Sequence, residues 1–339
     1  MAHKKIDADD LRVGMYVIMP TSWDEHPFLK NKFRLTSQTQ IDKIIDFGLA
    51  QVLIDTGHSL PEALSSIERM KKYETPKPAE SAKKPEEPSK EEKQLNTAGD
   101  KLREAIHDGS LSASEKSRIV RDNALTMMNS LLEQPTAKNI QTAKEAIIQI
   151  VELILTDDDT TSYLTKITSY DFSTYTHSVN VGLLAVSMAK LLFRGSNAHN
   201  MHEMGIGFFL HDLGKVGIDP AIINKPGRLT TDEMTVIRSH PTIGFKILED
   251  AHRLSEECKT IVLQHHERYD GTGYPKQLRG DEIHLYGKIC SMADVFDALT
   301  SNRPYRKKMD PFDALILMKK EMINHFQMDL YEKFVYMLS

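Results

Sequence analysis

The chain has 339 residues, 40% of them hydrophobic and 27% charged, with a formal net charge of −5. That length is too great for one compact core and predicts two domains with a connector, in a soluble globular protein. The charge balance excludes the basic excess that a nucleic-acid polymer partner would require.

Residues 1–73 predict a small α+β module. Gly14–Met19 and Gln51–Asp55 look like short strands, and Thr36–Phe47 looks like a helix with Ile41, Ile44 and Ile45 on one face. Trp23, near His26-Pro27-Phe28, is expected to anchor that small core. Residues 74–96 are rich in Pro, Lys and Glu, and up to Lys93 carry no aliphatic side chain larger than Ala, so a disordered linker is expected there. From residue 97 to 339 the pattern is helical. Ile140, Ala143, Ile147, Ile150 and Val151 form one apolar stripe, and Val179, Leu183, Val186 and Ala189 form another. Thr230-x-x-Glu233 is a capping box for a helix over Asp232–Ser239, and Pro241 suits the first turn of the next. No glycine-rich phosphate loop follows a strand, which leaves a mainly α protein.

Cys258 and Cys290 have no CxxC neighbour and fit a reducing compartment. The start, Met-Ala-His-Lys-Lys, has no apolar signal core, and no apolar run of about 18 residues is present, so a cytoplasmic protein without a membrane span is expected.

Chemistry-bearing residues concentrate in the C-terminal half. His211-Asp212 ends the apolar run Met204–Leu210, with Lys215 one turn on. A buried His-Asp doublet is costly unless paired or coordinated. His265-His266 enters a Gly-rich turn, His177 opens an amphipathic helix, His240 sits at a helix junction, and Asp294 ends the apolar approach Gly287–Ala293. Singly, each is more often a satisfied structural residue. Together they supply imidazole and carboxylate donors for two borderline transition-metal ions sharing Asp212. Asp297 lies too close to Asp294 to point at the same ion and is expected to support a ligand or cap a helix. His199, His202 and His252 are expected at the surface, Met318–Met328 as core filling, and Cys290 as buried and inert.

His211-Asp-Leu-Gly-Lys215, His265-His-Glu-Arg-Tyr-Asp-Gly-Thr-Gly-Tyr-Pro275 and Ala293-Asp-Val-Phe-Asp-Ala-Leu-Thr-Ser-Asn-Arg-Pro-Tyr-Arg306 together resemble the HD-GYP family. These are bacterial cyclic di-GMP phosphodiesterases within the HD metal-hydrolase superfamily, and the likeness covers about residues 160–335. Residues 1–73, with Leu11–Val17 and Trp23 to Phe28, are similar to a small domain often found ahead of HD-GYP domains.

The resemblance implies that His177, His211, Asp212 and Asp294 hold one ion, and that Asp212, His240, His265 and His266 hold the other. Iron or manganese is expected, with nickel or zinc as alternatives. It implies Lys215 on the scissile phosphate, Asp171 beside the water and lysine, and Arg303 and Arg306 on the second phosphate. A guanidinium suits that task because it grips phosphate through two parallel hydrogen bonds. Gly273, Tyr274 and Pro275 shape the GYP loop, where Gly271 and Gly273 are expected to supply backbone angles that bulkier residues resist. Ser173 stands where some members carry an acidic ligand for a third ion, so two ions are expected.

The implied reaction opens cyclic di-GMP to pGpG, with further cleavage to GMP. The alternatives are another cyclic dinucleotide, such as 3′,3′-cyclic GMP-AMP, or a catalytically silent cyclic di-GMP sensor. Homodimerisation and signalling-protein partners are further expectations. Many relatives run on into a short β-like tail, so the end at Ser339 reads as shortened.

Overall fold

Two short segments rich in β-branched and aromatic residues, Tyr16–Ile18 and Gln51–Asp55, form the middle of a four-stranded antiparallel sheet. They are β2 and β4. The outer strands, β1 (His3–Asp7) and β3 (Lys32–Arg34), complete the order β1-β4-β2-β3. Each outer strand is dominated by cations, which hides it from a hydrophobic-pattern reading and is common at sheet edges. Val17 lies opposite Ile54 on one side and Phe33 on the other. Val17, Val52 and Ile54 join Ile6, Leu11, Met15 and Leu35 in a small core. Ile41 and Ile44, both on helical backbone, are buried there, whereas Ile45 is 39% exposed and leaves the expected apolar face.

The computed structural model describes residues 3–7, 11, 13–18, 32–37, 40–41, 44–45, 51–59, 89–166, 173–251, 254–302 and 307–339. Trp23, His26 and Phe28 lie outside them. The chain divides into compact units Met1–Glu86 and Glu87–Ser339. Among the described residues, no helix is long and apolar enough to cross a membrane.

The expected linker through residue 96 ends sooner, because α1 runs from Lys90 to His107. Ser89 caps it by accepting the Glu92 amide, and Glu91 and Glu92 suit the positive end of the helix dipole. Its apolar side, Leu95, Ala98, Leu102 and Ala105, is buried. Helices α2 (Ala113–Glu133), α3 (Ala137–Thr156) and α4 (Asp158–Lys166) follow. The α3 stripe predicted from Ile140 to Val151 is fully buried.

At the centre is α5, Thr174–Leu192, whose residues Thr176–Ala189 are all buried. A helix apolar on all sides belongs inside a bundle. Helix α6 (Met201–Leu210) packs along it and ends at His211. After the 3-10 turn Leu213–Gly217 come α7 (Pro220–Ile223) and α8 (Thr231–Ile237), the latter with the predicted Thr230/Glu233 capping box. Helix α9 (His240–Asp250) has Pro241 in its first turn, as expected. The bundle closes with α10 (Glu256–Gln264), α11 (Leu285–Thr300), α12 (Pro311–Glu321) and α13 (Met328–Leu338). One hydrophobic core runs from Leu95 to Phe334, so α1 to α4 share their interior with the later helices.

Candidate active site

Five segments of the bundle converge on one buried cluster. Helix α5 brings His177, the end of α6 brings His211 and Asp212, α9 begins with His240, α10 ends at His265 and His266, and α11 carries Asp294. Asp212 is central: Oδ1 lies 3.1 Å from His240 Nε2 and 3.8 Å from His265 Nε2, and Oδ2 lies 3.5 Å from both His177 Nε2 and His211 Nε2. Asp294 reaches both sides, with Oδ1 3.0 Å from His177 Nε2 and Oδ2 3.4 Å from His266 Nδ1. Two groups of donors result, His177/His211/Asp212 and Asp212/His240/His265/His266, each with its ligand atoms within 4.8 Å of one another.

The ring orientations come from helix ends. Nδ1–H of His211 donates to Phe208 O at 2.8 Å, that of His240 to Ile237 O at 2.7 Å, and that of His265 to Val262 O at 2.9 Å. The last carbonyls of a helix lack intrahelical partners, so each such bond satisfies an acceptor and fixes a tautomer. It leaves Nε2 of each ring unprotonated and aimed inward. His177 is held differently, by Nδ1–H donating to Asp297 Oδ2 at 2.7 Å. Asp297 thus holds the ring of a candidate ligand, the supporting place its spacing from Asp294 suggested.

This donor set fits divalent metal. His240 Nε2 and His265 Nε2 face each other at 3.1 Å, and the tautomers above give both atoms lone pairs. His211 Nε2 and Asp212 Oδ1 are buried without a hydrogen-bond partner, although His240 Nε2 approaches that oxygen. Opposed lone pairs and orphaned buried acceptors are costly unless a cation lies among them. Burial pushes His211 down to about 3 and also lowers His240 and His266, which favours neutral rings with free lone pairs. Burial likewise opposes the charged form of His177, but Asp294 and Asp297 outweigh it and raise the ring to about 9. Burial works against the Asp212 carboxylate, yet Lys215 and the surrounding histidines hold it well below the usual carboxylate range. Lys215 Nζ donates to Asp212 Oδ2 at 2.5 Å.

Glycines set two close approaches. A Cβ on Gly214 would lie 1.9 Å from His240 O, so glycine lets the segment after Asp212 press against α9. Gly271 has the expected positive φ, +81°. Gly273 does not owe its place to φ; a Cβ there would lie 2.4 Å from Arg268 N and 2.5 Å from Glu267 Cα. The Tyr274 ring stacks on His266 with centroids 4.6 Å apart, and Arg238 lies 5.5 Å from the Tyr274 ring centre. Glu267 clamps the loop: buried, it accepts the amides of Lys276 at 2.7 Å and Leu278 at 3.0 Å. The sequence reading missed it. The available signal was an acidic residue directly after two inward-facing histidines.

Asp171, Arg303 and Arg306 lie outside the described residues. Ser173 caps α5, its Oγ accepting the Thr176 amide at 3.2 Å. His199 departs from the surface expectation: half-buried, it stacks on Phe193 at 3.8 Å and bonds Tyr286 Oη at 2.8 Å. His202 is also half-buried and meets Glu152 at 2.9 Å, while His252 lies outside the described residues. Met318 is buried as expected, but Met328 is 48% exposed. Cys290 is buried and burial raises its thiol pKa, consistent with an inert side chain.

Residues 165–330 match the HD domain family, and residues 3–153 match a domain of unknown function, DUF3391. The chain is similar to the cyclic di-GMP phosphodiesterase PA4108 of Pseudomonas aeruginosa, 30% identical over 98% of this chain and 76% of that one. Its likeness to the cyclic di-GMP phosphodiesterase response regulator RpfG of Xanthomonas campestris is 50% identical but covers 29% of this chain and 26% of that one. The 3′3′-cGAMP-specific phosphodiesterase 2 of Vibrio cholerae is 45% identical over 29% of this chain and 19% of its own length. The solved structure of Bd1817, an HDG"Y"P protein from Bdellovibrio bacteriovorus, shares the fold, with TM-score 0.59, 17% identity and 99% of both chains covered. The chain belongs to the HD-GYP family, and with its HD domain comes a divalent-metal centre.

Proposed function

We propose that this protein hydrolyses cyclic di-GMP to pGpG, and more slowly to GMP, in the cytoplasm. The observation that carries the reading is the seven-residue cluster, complete and arranged as two donor groups sharing Asp212. The likeness to PA4108, named for that activity, over 98% of this chain and 76% of that one supports the choice of substrate. Divalent ions held in the two groups supply an activated water and neutralise charge on the phosphate. Iron or manganese suits a mixed imidazole and carboxylate donor set.

The chain's own residues do the rest. Asp212 presents one oxygen to each donor group. Lys215 starts on Asp212 Oδ2 and swings its ammonium to the scissile phosphate when substrate enters. Asp171 assists beside the water. Arg303 and Arg306 grip the second phosphate bidentately. Tyr274, stacked on His266, forms one wall of the substrate site. Residues 1–73 act as a regulatory module, through a signalling partner or by pairing two chains.

Relatives named for 3′3′-cGAMP also align, so substrate choice is tested with both dinucleotides. Anaerobically purified protein, loaded with iron or manganese, is given each in turn and products are separated chromatographically. Preferential conversion of cyclic di-GMP to pGpG supports the proposal. Preferential cleavage of 3′3′-cGAMP transfers it to that substrate, and binding without cleavage of either makes the protein a sensor.

A further inference from the structure

Three imidazoles of the cluster take their orientation from main-chain oxygens, whereas His177 depends on a side chain. That side chain, Asp297, is 1% exposed, and its own position is fixed from the other oxygen. Oδ1 accepts from Asn180 Nδ2 at 2.7 Å and from Ser301 Oγ at 3.3 Å. Asn180 Oδ1 in turn accepts from Arg121 Nη2 at 2.9 Å. Arg121 and Asn180 are each 4% exposed, so the line from α2 through α5 to α11 runs inside the protein. A guanidinium is rarely buried without a compensating charge. Burial weakens the protonated form of Arg121, and the Asp297 carboxylate opposes that loss.

Arg121 lies in the DUF3391-matched stretch, before the HD match begins at residue 165. Its helix packs against α5 and against the 3-10 turn that carries Lys215.

We propose that Arg121 is a positioning residue for the ion held by His177, His211, Asp212 and Asp294. The guanidinium fixes the Asn180 amide, Asn180 fixes Asp297, and Asp297 holds the His177 tautomer that turns Nε2 toward Asp212 and Asp294. The helices ahead of the HD domain thereby act on one ion through His177, whereas His240 and His265 of the other are oriented by main-chain carbonyls. The inference rests on the metal reading of the cluster.

The test uses full-length protein and manganese alone. Affinity and stoichiometry are measured by competition with a chromophoric chelator, with thermal unfolding in excess chelator as the folding control. Removing an outer partner of a ligating histidine typically weakens metal binding by about 10–100-fold. Arg121→Met is expected to weaken one ion by that factor and leave the other within about twofold. Asn180→Ala, which cuts the same line from another helix, is expected to do the same. Arg121→Lys keeps the charge without the planar fork and should restore part of the loss. Equal weakening of both ions, or an unchanged pair of affinities in Asn180→Ala and Arg121→Lys, overturns the inference. Those two variants decide the matter if Arg121→Met does not fold. Wild-type protein that binds no manganese defeats the underlying metal reading instead.

Discussion

Asp212 is 0% exposed and stands within reach of four imidazoles and one ammonium, so its removal differs from that of any other acidic residue among the described ones. Asp212→Ala is expected to lower metal content in both donor groups and to cut turnover by more than about 100-fold, beyond the usual effect of an outer partner. Elemental analysis and product formation on the same preparation check both parts. Arg306→Ala should keep its metal and raise KM, because the proposed contact is with phosphate alone. Equal metal loss in the two variants would show these roles to be misassigned. Glu267 tests the loop rather than the ions. Glu267→Gln replaces one of two acceptor oxygens with a donor facing a backbone amide, at a cost of about 1–3 kcal/mol. In a unit of this size each kcal/mol lowers Tm by roughly 2–4 °C, which calorimetry reads directly.

Elements were legible where pattern and capping agreed. The α3 stripe, the Thr230/Glu233 box and the apolar approach to His211 all read correctly, because each places several residues at fixed spacing. The start of α1 was hidden by a first turn without a large aliphatic residue, although Ser89 and the acidic pair after it were the cap that marks it. Gly273 was singled out for the wrong reason. Its contacts come from Glu267 and Arg268 backbone folded back over the loop, which no single-residue angle preference reveals. Its consequence is measurable: Gly273→Ala must push the loop away from His266, weakening the ion held there more than the ion held by His177. A uniform effect on both ions would contradict that localisation. The convergence of the candidate donors into one cluster was readable as a donor count and through the family resemblance. The Arg121–Asn180–Asp297 line was not, since its members are 59 and 117 residues apart in sequence and only Asp297 falls in a quoted motif.

For the whole molecule, the shared core from Leu95 to Phe334 ties the helices before the HD domain to the domain itself. A fragment beginning at residue 89 is expected to fold, bind manganese and hydrolyse substrate, whereas one beginning near 160 should fail to fold despite containing every proposed ligand. Circular dichroism and metal analysis of the two fragments decide this. A folded, metal-binding shorter fragment would show that the early helices are dispensable. Metal should also stabilise the chain by linkage, by about 2.7 kcal/mol at a free ion concentration 100 times Kd, with chelator reversing the gain. An unchanged Tm on adding manganese would count against ion binding to the folded cluster. The outer strands of the N-terminal sheet constrain how two chains can meet. β1 and β3 present Lys5, Lys32 and Arg34 to solvent. Joining like edges of two copies into one continuous sheet would bring these cations together at the roughly 5 Å spacing of neighbouring strands. Fusion of like edges, strand by strand, is therefore disfavoured, so each described sheet is kept a closed unit of its own by charge on its rims.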